Sequence, residues 1–513
     1  MKNIIIGFFL SMSLLATAQK KPNILIIVSD DHAYQAISCY GSKLMQTPAI
    51  DRIAKEGVLF KKAYVTNSIC GPSRAVILTG KYSHINGFKD NEHSRFDGSQ
   101  NTFIKELTNN GYQTAWIGKW HLETQPQGFS FWQILPGQGS YYNPDFLLMD
   151  GSKKRVEGYV SNVVEDVAEN WMDTRDTSKP FCLVIGHKAT HRTWMPDTAD
   201  MGLFDKTTFP LPHNFYDNYA GRQAASVQDM TIDKTMIMGY DLKMFGSEAA
   251  ENKDGNISRM NAAQRARFDQ YYGPIEADFK EKKLTGNALI EWKFQRYMRD
   301  YLSTAASLDR NIGRTLDYLD QHQLTNNTIV IYISDQGFYL GEHGWFDKRF
   351  MYEESFRTPM VMRYPGVIKP GTVSSDLVMN LDIAPTVLDA ARVPIPKDIQ
   401  GKSFLPVVTK KAKGRDAMYY HYYENGEHAV SPHFGIRTTR YKLIRFYKRV
   451  ESWELYDLKK DPNEMNNLYG KKEYQKTTEA LRKKLFELIK EYKDEDAMNI
   501  FLNTKPANDK KVF

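Results

Sequence analysis

Apolar residues along this chain fall into two kinds of pattern. The first is the short, almost uninterrupted run: Pro22–Val28, Gln113–Ile117, Phe181–Gly186, Thr328–Ser334 and Pro359–Arg363. Runs of this length without alternation predict strands covered on both faces. Val58–Val65 is a further strand candidate. The second pattern has apolar residues at every third or fourth position. It predicts helices over Thr47–Gly57, Thr102–Asn110, Tyr159–Asp173 and Asp382–Ala391. The longest is Glu291–Leu324, with Tyr297, Tyr301, Ala305, Leu308, Ile312, Leu316 and Leu319 on one side. Pro196 to about Ile290 has neither pattern and reads as long surface excursions with short helices.

Strands alternating with helices predict an α/β fold, a large doubly wound mixed sheet sandwiched by helices over residues 19–393. From about residue 394 the character changes. Ala417–Tyr423, His433–Thr438, Tyr441–Phe446 and Glu454–Asp457 are short alternating segments, followed by a helix over Tyr474–Tyr492. They predict a smaller C-terminal α+β subdomain, residues 394–513, with an antiparallel sheet and a terminal helix, frayed from Thr504.

Composition adds three constraints. The 513 residues carry a formal charge of +7, which suits an anionic substrate without calling for nucleic acid. Met1–Ala18 has a positive start at Lys2, an apolar stretch Ile4–Leu15 and a small-residue Ala16-Thr17-Ala18 site, the pattern of a secretory signal. Export to a periplasm or beyond the cell is therefore expected, and no later stretch is apolar enough to span a membrane. Cys39, Cys70 and Cys182 are too few, and odd in number, for a disulfide scaffold. Cys182 lies in an apolar run and is expected in the core.

The candidate chemistry collects where strands end. Asp30-Asp31 follow the first strand, Lys119 and His121 the third, His187 the fourth, and Asp335-Gln336 the fifth, with Lys348 beyond. In open α/β sheets ligands bind at strand C-termini. Adjacent carboxylates repel unless a cation lies between them, which favours a hard metal with oxygen ligands. Cys70-Gly71-Pro72-Ser73-Arg74 leads into an apolar run closed by Gly80, so Cys70 should begin a short helix with Arg74 one turn on. Each residue alone has an ordinary alternative: a buried structural cysteine, an Asp-Asp helix cap, a core histidine, a solvated lysine. Their joint placement at strand ends favours one divalent metal site ringed by cations.

These residues carry a family resemblance over nearly the whole chain. Cys70-Gly71-Pro72-Ser73-Arg74 with Leu78-Thr79-Gly80 resembles the signature of type I sulfatases, of the alkaline-phosphatase-like superfamily. Gly118-Lys119-Trp120-His121, His187-Lys188 with His191, Ser334-Asp335-Gln336-Gly337, Lys348 after Gly341-Glu342-His343-Gly344, and Leu455-Tyr456-Asp457-Leu458 match in order. Gln336 departs from the Asn or His of many relatives but keeps an amide oxygen. The resemblance implies that a maturase converts Cys70 to formylglycine. It also implies that Asp30, Asp31, Asp335, Gln336 and residue 70 hold one Ca²⁺. It further implies a formylglycine-hydrate nucleophile and a sulfo-enzyme intermediate. Arg74, Lys119 and Lys348 would then stabilise sulfate charge, with His187 the acid for the leaving oxygen and His121 the base.

The blocks around Lys348 and His191 are similar to bacterial sulfatases acting on the 6-O-sulfate of N-acetylglucosamine in glycosaminoglycans or mucin-type glycans. His191, Arg192, Trp194, Arg349 and Glu353 are then expected to meet the sugar, with His93 and His428 as further candidates. Two other readings remain. A related phosphoesterase would use two metals and a Ser or Thr nucleophile. An inactive glycan-binding relative would lack one of the groups above.

Overall fold

The computed structural model describes residues 21–246 and 255–503. The signal segment expected at residues 1–18 and the fraying expected from Thr504 fall outside the described residues. The strands in chain order are β1 (Asn23–Ser29), β2 (Val58–Phe60), β3 (Ala63–Tyr64), β4 (Gln113–Lys119), β5 (Phe131–Leu135), β6 (Asp145–Leu148), β7 (Lys153–Arg155) and β8 (Phe181–Gly186). They continue with β9 (Thr328–Ser334), β10 (Met360–Arg363), β11 (Thr372–Ser374), β12 (Val378–Met379), β13 (Ala417–Tyr422), β14 (His433–Thr438), β15 (Tyr441–Phe446) and β16 (Ser452–Asp457).

Ten of them form one mixed sheet in the order β11-β2-β10-β9-β1-β8-β4-β5-β6-β7. At its centre β9, β1, β8, β4 and β5 run parallel, so their C-terminal ends share one edge. Both faces of these strands are covered. Leu25, Ile27, Leu183, Ile185, Val330 and Tyr332 join one core cluster, while Ile24, Ile26, Val28, Cys182, Val184, Ile329, Ile331 and Ile333 join the other. The period of two sends alternate residues to opposite layers, which is why these runs show no polar alternation. Each such side chain contributes about 1.5–3 kcal/mol when fully buried.

One layer is dominated by the helix Gly286–Gln321, longer at its start than the periodicity indicates. Tyr297, Tyr301, Leu308, Ile312, Leu316 and Leu319 all pack in the same cluster as Leu25 and Ile27. The reading of residues 196–290 needs correction. They include a 21-residue helix, Ala262–Lys282, begun by a capping box between Asn261 and Gln264. Phe268 and Tyr272 are buried along it and Tyr271, Ile275 and Phe279 pack beside them, a stripe at helical spacing that Pro274, ordinarily a helix breaker, conceals.

The C-terminal strands form a four-stranded antiparallel sheet in the order β13-β14-β15-β16. The helix Gln475–Tyr492 covers it with Leu481, Leu485, Leu488 and Ile489. That core cluster also contains Ile69, Cys70, Val76, Phe350, Tyr352 and Phe356. The small sheet is bonded to the segment leading into Cys70, through the His421 amide to the Thr66 carbonyl at 3.0 Å and the Ser68 amide to the Tyr420 hydroxyl at 3.2 Å. Among the described residues all three cysteines are free, and no helix is long and apolar enough to cross a membrane.

Candidate active site

The geometry of the site follows from strand register. β1 and β9 pair in parallel with Ser29 opposite Ser334, so Asp30-Asp31 and Asp335-Gln336 leave the sheet side by side. The Asp335 amide donates to the Ser29 carbonyl at 3.0 Å, and the Asp31 amide to Asp335 Oδ1 at 3.2 Å. Asp31 makes this turn with φ +63°, a left-handed conformation that aspartate tolerates better than most residues. Asp30, Asp31 and Asp335 are fully buried, and one oxygen from each lies within 4.8 Å of the others. Three acids that close demand positive charge.

Cations arrive from three elements. Lys119, the last residue of β4, donates to Asp30 Oδ2 and, at 2.5 Å, to Gln138 Oε1. Lys348 donates to Asp31 Oδ2 at 2.8 Å, and Arg74 Nε to Asp335 Oδ2 at 2.9 Å. A glycine pair brings β4 and β8 together here. A Cβ on Gly118, whose φ is +93°, would lie 2.1 Å from the Gly186 carbonyl oxygen, so any side chain would force the two strands apart. Burial pushes Asp30 up, but Lys119, His191, Arg74 and Lys348 outweigh it and hold the carboxyl well below its ordinary value. Asp31 rises to about 6 through burial, with Lys348 opposing. Burial, then repulsion from Asp30, raises Asp335 well above the carboxylate range.

Cys70 is the first residue of the helix Cys70–Thr79, which Gly80 ends at φ +66°. It is 1% exposed. Asp30, Cys70 and His191 each bring one ligand atom to within 4.8 Å of the other two. Ser73 Oγ donates to the Asp335 carbonyl, so this helix is tied to the end of β9. Asp30 Oδ1 and Gln336 Oε1 are buried acceptors without a hydrogen-bond partner, as a site for an oxygen-seeking cation would leave them.

Residues 22–393 match the family model described as Sulfatase, and residues 341–491 the one described as N-sulphoglucosamine sulphohydrolase, C-terminal. The chain belongs to the sulfatase family. Over 491 residues it is 50% identical to an N-acetylglucosamine-6-O-sulfatase of Bacteroides thetaiotaomicron, covering 93% of this chain and 88% of that protein. An arylsulfatase of Clostridium perfringens is 28% identical over 90% of this chain and 93% of its own. A solved structure in complex with its substrate, D-glucosamine-2-N,6-O-disulfate, superposes with a TM-score of 0.91 at 50% identity, over 93% of this chain and 99% of that one. This sulfatase is thus a sulfuric ester hydrolase.

The remaining expected residues of the sulfatase divide. His191, not His187, is the histidine brought to residue 70. Its Nδ1–H donates to the Arg192 carbonyl at 2.7 Å, leaving Nε2 toward the acids, 4.0 Å from Asp31 Oδ2. His187 is 1% exposed, with Nε2 4.0 Å from Glu165 Oε2 and neither ring nitrogen hydrogen-bonded. Burial, helped by Lys119, lowers His121 to about 3, and its Nδ1 is without a partner.

Three sugar-contact expectations are also corrected. Trp194 is fully buried, its ring 4.5 Å from that of Tyr297, and has no face to offer a sugar. Arg192 commits Nε and Nη2 to Asp241, at 2.6 and 2.8 Å, so only its Nη1 edge is outside that pair. Glu353 accepts from Arg437 and Tyr64 and pairs with Lys442, joining β3 to the C-terminal sheet. Arg349, next to Lys348, pairs with Glu424 at 3.3 Å and with Glu427 at 2.7 Å. His428 contacts Asp347 at 3.0 Å, whereas His93 is 81% exposed beside Asp90 and Glu92. Sequence reasoning missed Gln138, on Lys119, and Asp347, between Lys348, Arg349 and His428. Asp347 adjoins Lys348 in sequence, which was the available signal.

Proposed function

We propose that this sulfatase is exported and removes the 6-O-sulfate of N-acetylglucosamine or glucosamine residues in sulfated glycans. What carries the reading is the buried triad Asp30, Asp31 and Asp335 facing residue 70, together with 50% identity to an N-acetylglucosamine-6-O-sulfatase. The donor set fits Ca²⁺: three carboxylates and an amide oxygen, two of these atoms unpartnered. Asp30, Asp31, Asp335, Gln336 and residue 70 would hold the ion. Calcium so held supplies charge neutralisation at the sulfate, and conversion of Cys70 to formylglycine by a maturase supplies the nucleophilic oxygen.

The chain's own residues do the rest. Arg74, Lys119 and Lys348 converge on the acids and bind sulfate oxygens as charge builds on them. His191 delivers the proton to the departing sugar oxygen from Nε2 of its imidazolium form, with Nδ1–H held by the Arg192 carbonyl; burial opposes that form and the Asp30 carboxylate favours it. Buried His121 stays neutral near pH 7, so its free Nδ1 accepts a proton at residue 70. Arg349, with Glu424 and Asp347, meets the sugar hydroxyls.

The test is a screen of 6-, 4-, 3- and 2-O-sulfated sugars, with peptide mass analysis of residue 70 after co-expression with a maturase. Turnover of 6-sulfated N-acetylglucosamine and an aldehyde at position 70 are expected. Turnover of another sulfate position alone would overturn the substrate, and an unmodified cysteine the nucleophile.

A further inference from the structure

The loop after Phe88 reaches residue 70 with one side chain that no motif singles out. Asn91 Nδ2 donates to Cys70 Sγ at 3.3 Å, and Asn91 Oδ1 accepts from the Gly71 amide at 3.2 Å. The two contacts fix the amide's orientation. A backbone N–H can only donate, so the carbonyl end must face Gly71 and the NH₂ must face residue 70. The helix Cys70–Thr79 has no side-chain cap from Ile69, so the Gly71 amide is one of the orphan donors of that terminus.

Asn91 is held for this task. Asp90 Oδ1 accepts from the amides of Glu92, His93 and Ser94, and Asn67 Nδ2 donates to the Lys89 carbonyl at 3.0 Å, so the loop is tied on both sides of Asn91. The second residue of the signature makes room for it. A Cβ on Gly71 would lie 2.5 Å from Asn91 Oδ1 and 2.6 Å from Phe88. Glycine at 71 is therefore what lets the amide approach.

We propose that Asn91 is a catalytic residue of this sulfatase, donating a hydrogen bond from Nδ2 to the reacting atom of residue 70 and fixing its direction. This rests on the reading that residue 70 is the nucleophile, with Cys70 Sγ standing in for the oxygens that conversion places on Cβ. A purely structural cap would need only the acceptor end of the amide. Asn91→Asp separates the two roles: it keeps the shape and the acceptor for Gly71 and removes the donor.

Two measurements test it. With converted enzyme and a chromogenic aryl sulfate, Asn91→Ala and Asn91→Asp should each lower kcat by about 10²-fold, the scale of losing one preorganised donor, with KM of Asn91→Ala within about 3-fold. A kcat for Asn91→Asp within about twofold of wild type, at equal conversion, overturns the proposal. In unconverted protein, Asn91→Asp puts a carboxylate against the thiol, and alkylation of Cys70 by iodoacetamide should slow about tenfold. An unchanged rate overturns the contact. If wild type cleaves the aryl sulfate but not 6-sulfated N-acetylglucosamine, only the substrate reading falls. If residue 70 of wild type stays cysteine, the nucleophile reading falls and alkylation still decides whether Asn91 addresses residue 70.

Discussion

Two buried acidic clusters in this sulfatase are built on opposite terms. Asp494, at the end of the helix Gln475–Tyr492, accepts from Tyr419 at 2.8 Å, His421 at 2.7 Å, Tyr423 at 3.2 Å and the Ala497 amide at 3.0 Å. Its histidines are satisfied too, His421 by Tyr447 and His84 by the Tyr492 carbonyl. Burial would raise the Asp494 carboxyl, but His421 and His84 hold it well below its usual value. The strand-end cluster instead packs three acids together and leaves Asp30 Oδ1, Gln336 Oε1, Arg74 Nη2 and His121 Nδ1 without partners. Buried charge alone does not mark a site. Saturated charge joins elements, as at Asp494 and Glu353, while the strand-end acids crowd together and keep unpartnered atoms among them.

Substitutions can break this comparison. Asp335→Asn should lower kcat/KM at least about 10³-fold, since it removes an acid that orients Arg74 and that, on the reading proposed above, would hold the cation. Metal-stripped Asp335→Asn should melt no lower than metal-stripped wild type, because one of three repelling acids is gone. A clear drop in that melting point would make the strand-end cluster a structural joint like the other.

Calcium chelation should abolish turnover reversibly and lower the melting point. Readdition at 100 times the dissociation constant should restore about 2.7 kcal/mol. A melting point indifferent to calcium would count against the ligand set. Asp494→Asn should do the reverse, costing about 2–4 kcal/mol in denaturant unfolding with kcat within about twofold. A hundredfold kcat loss there would erase the distinction.

Glu165 offers the smallest test. Burial raises it from 4.5 to about 8, with Thr315 donating to it in opposition. The folded state then binds the extra proton between these two values, so its stability falls as pH rises from about 5 to 8. Glu165→Gln keeps an acceptor for Thr315 and removes this dependence. Its advantage over wild type should grow to about 1–3 kcal/mol by pH 8, read from melting curves across that range. A constant difference would show that Glu165 is ionised in the folded protein.

Much of this was legible in the residues. β8 and β9 fall where the apolar runs place them, because a run flanked by polar residues has few other ways to be buried, and β14 and β15 fall on the alternating segments. The helix Ala262–Lys282 was illegible because Pro274, ordinarily a helix breaker, interrupts its apolar stripe. In the site, strand ends announced Asp30, Asp31, Lys119 and Asp335, since register does the positioning. Beyond the strand, register no longer helps. His187 and His191 both follow β8, and only the path of the loop decides which one meets residue 70. Trp194 and Glu353 looked like ligand-facing residues by type, but burial against Tyr297 and pairing with Arg437 are long-range facts.

The in-register pairing of β1 with β9 has a consequence for how the enzyme fails. Gln336 and Asp31, joined at 2.5 Å, come from positions 305 residues apart. A slip of one residue between these strands would turn Asp335 to the opposite layer and scatter the ligand set. A misaligned sheet could still be compact and well covered on both faces, yet it would assemble no site. Turnover thus proofreads the pairing: in a population of folded chains, only those with the correct strand alignment are ever counted by their product.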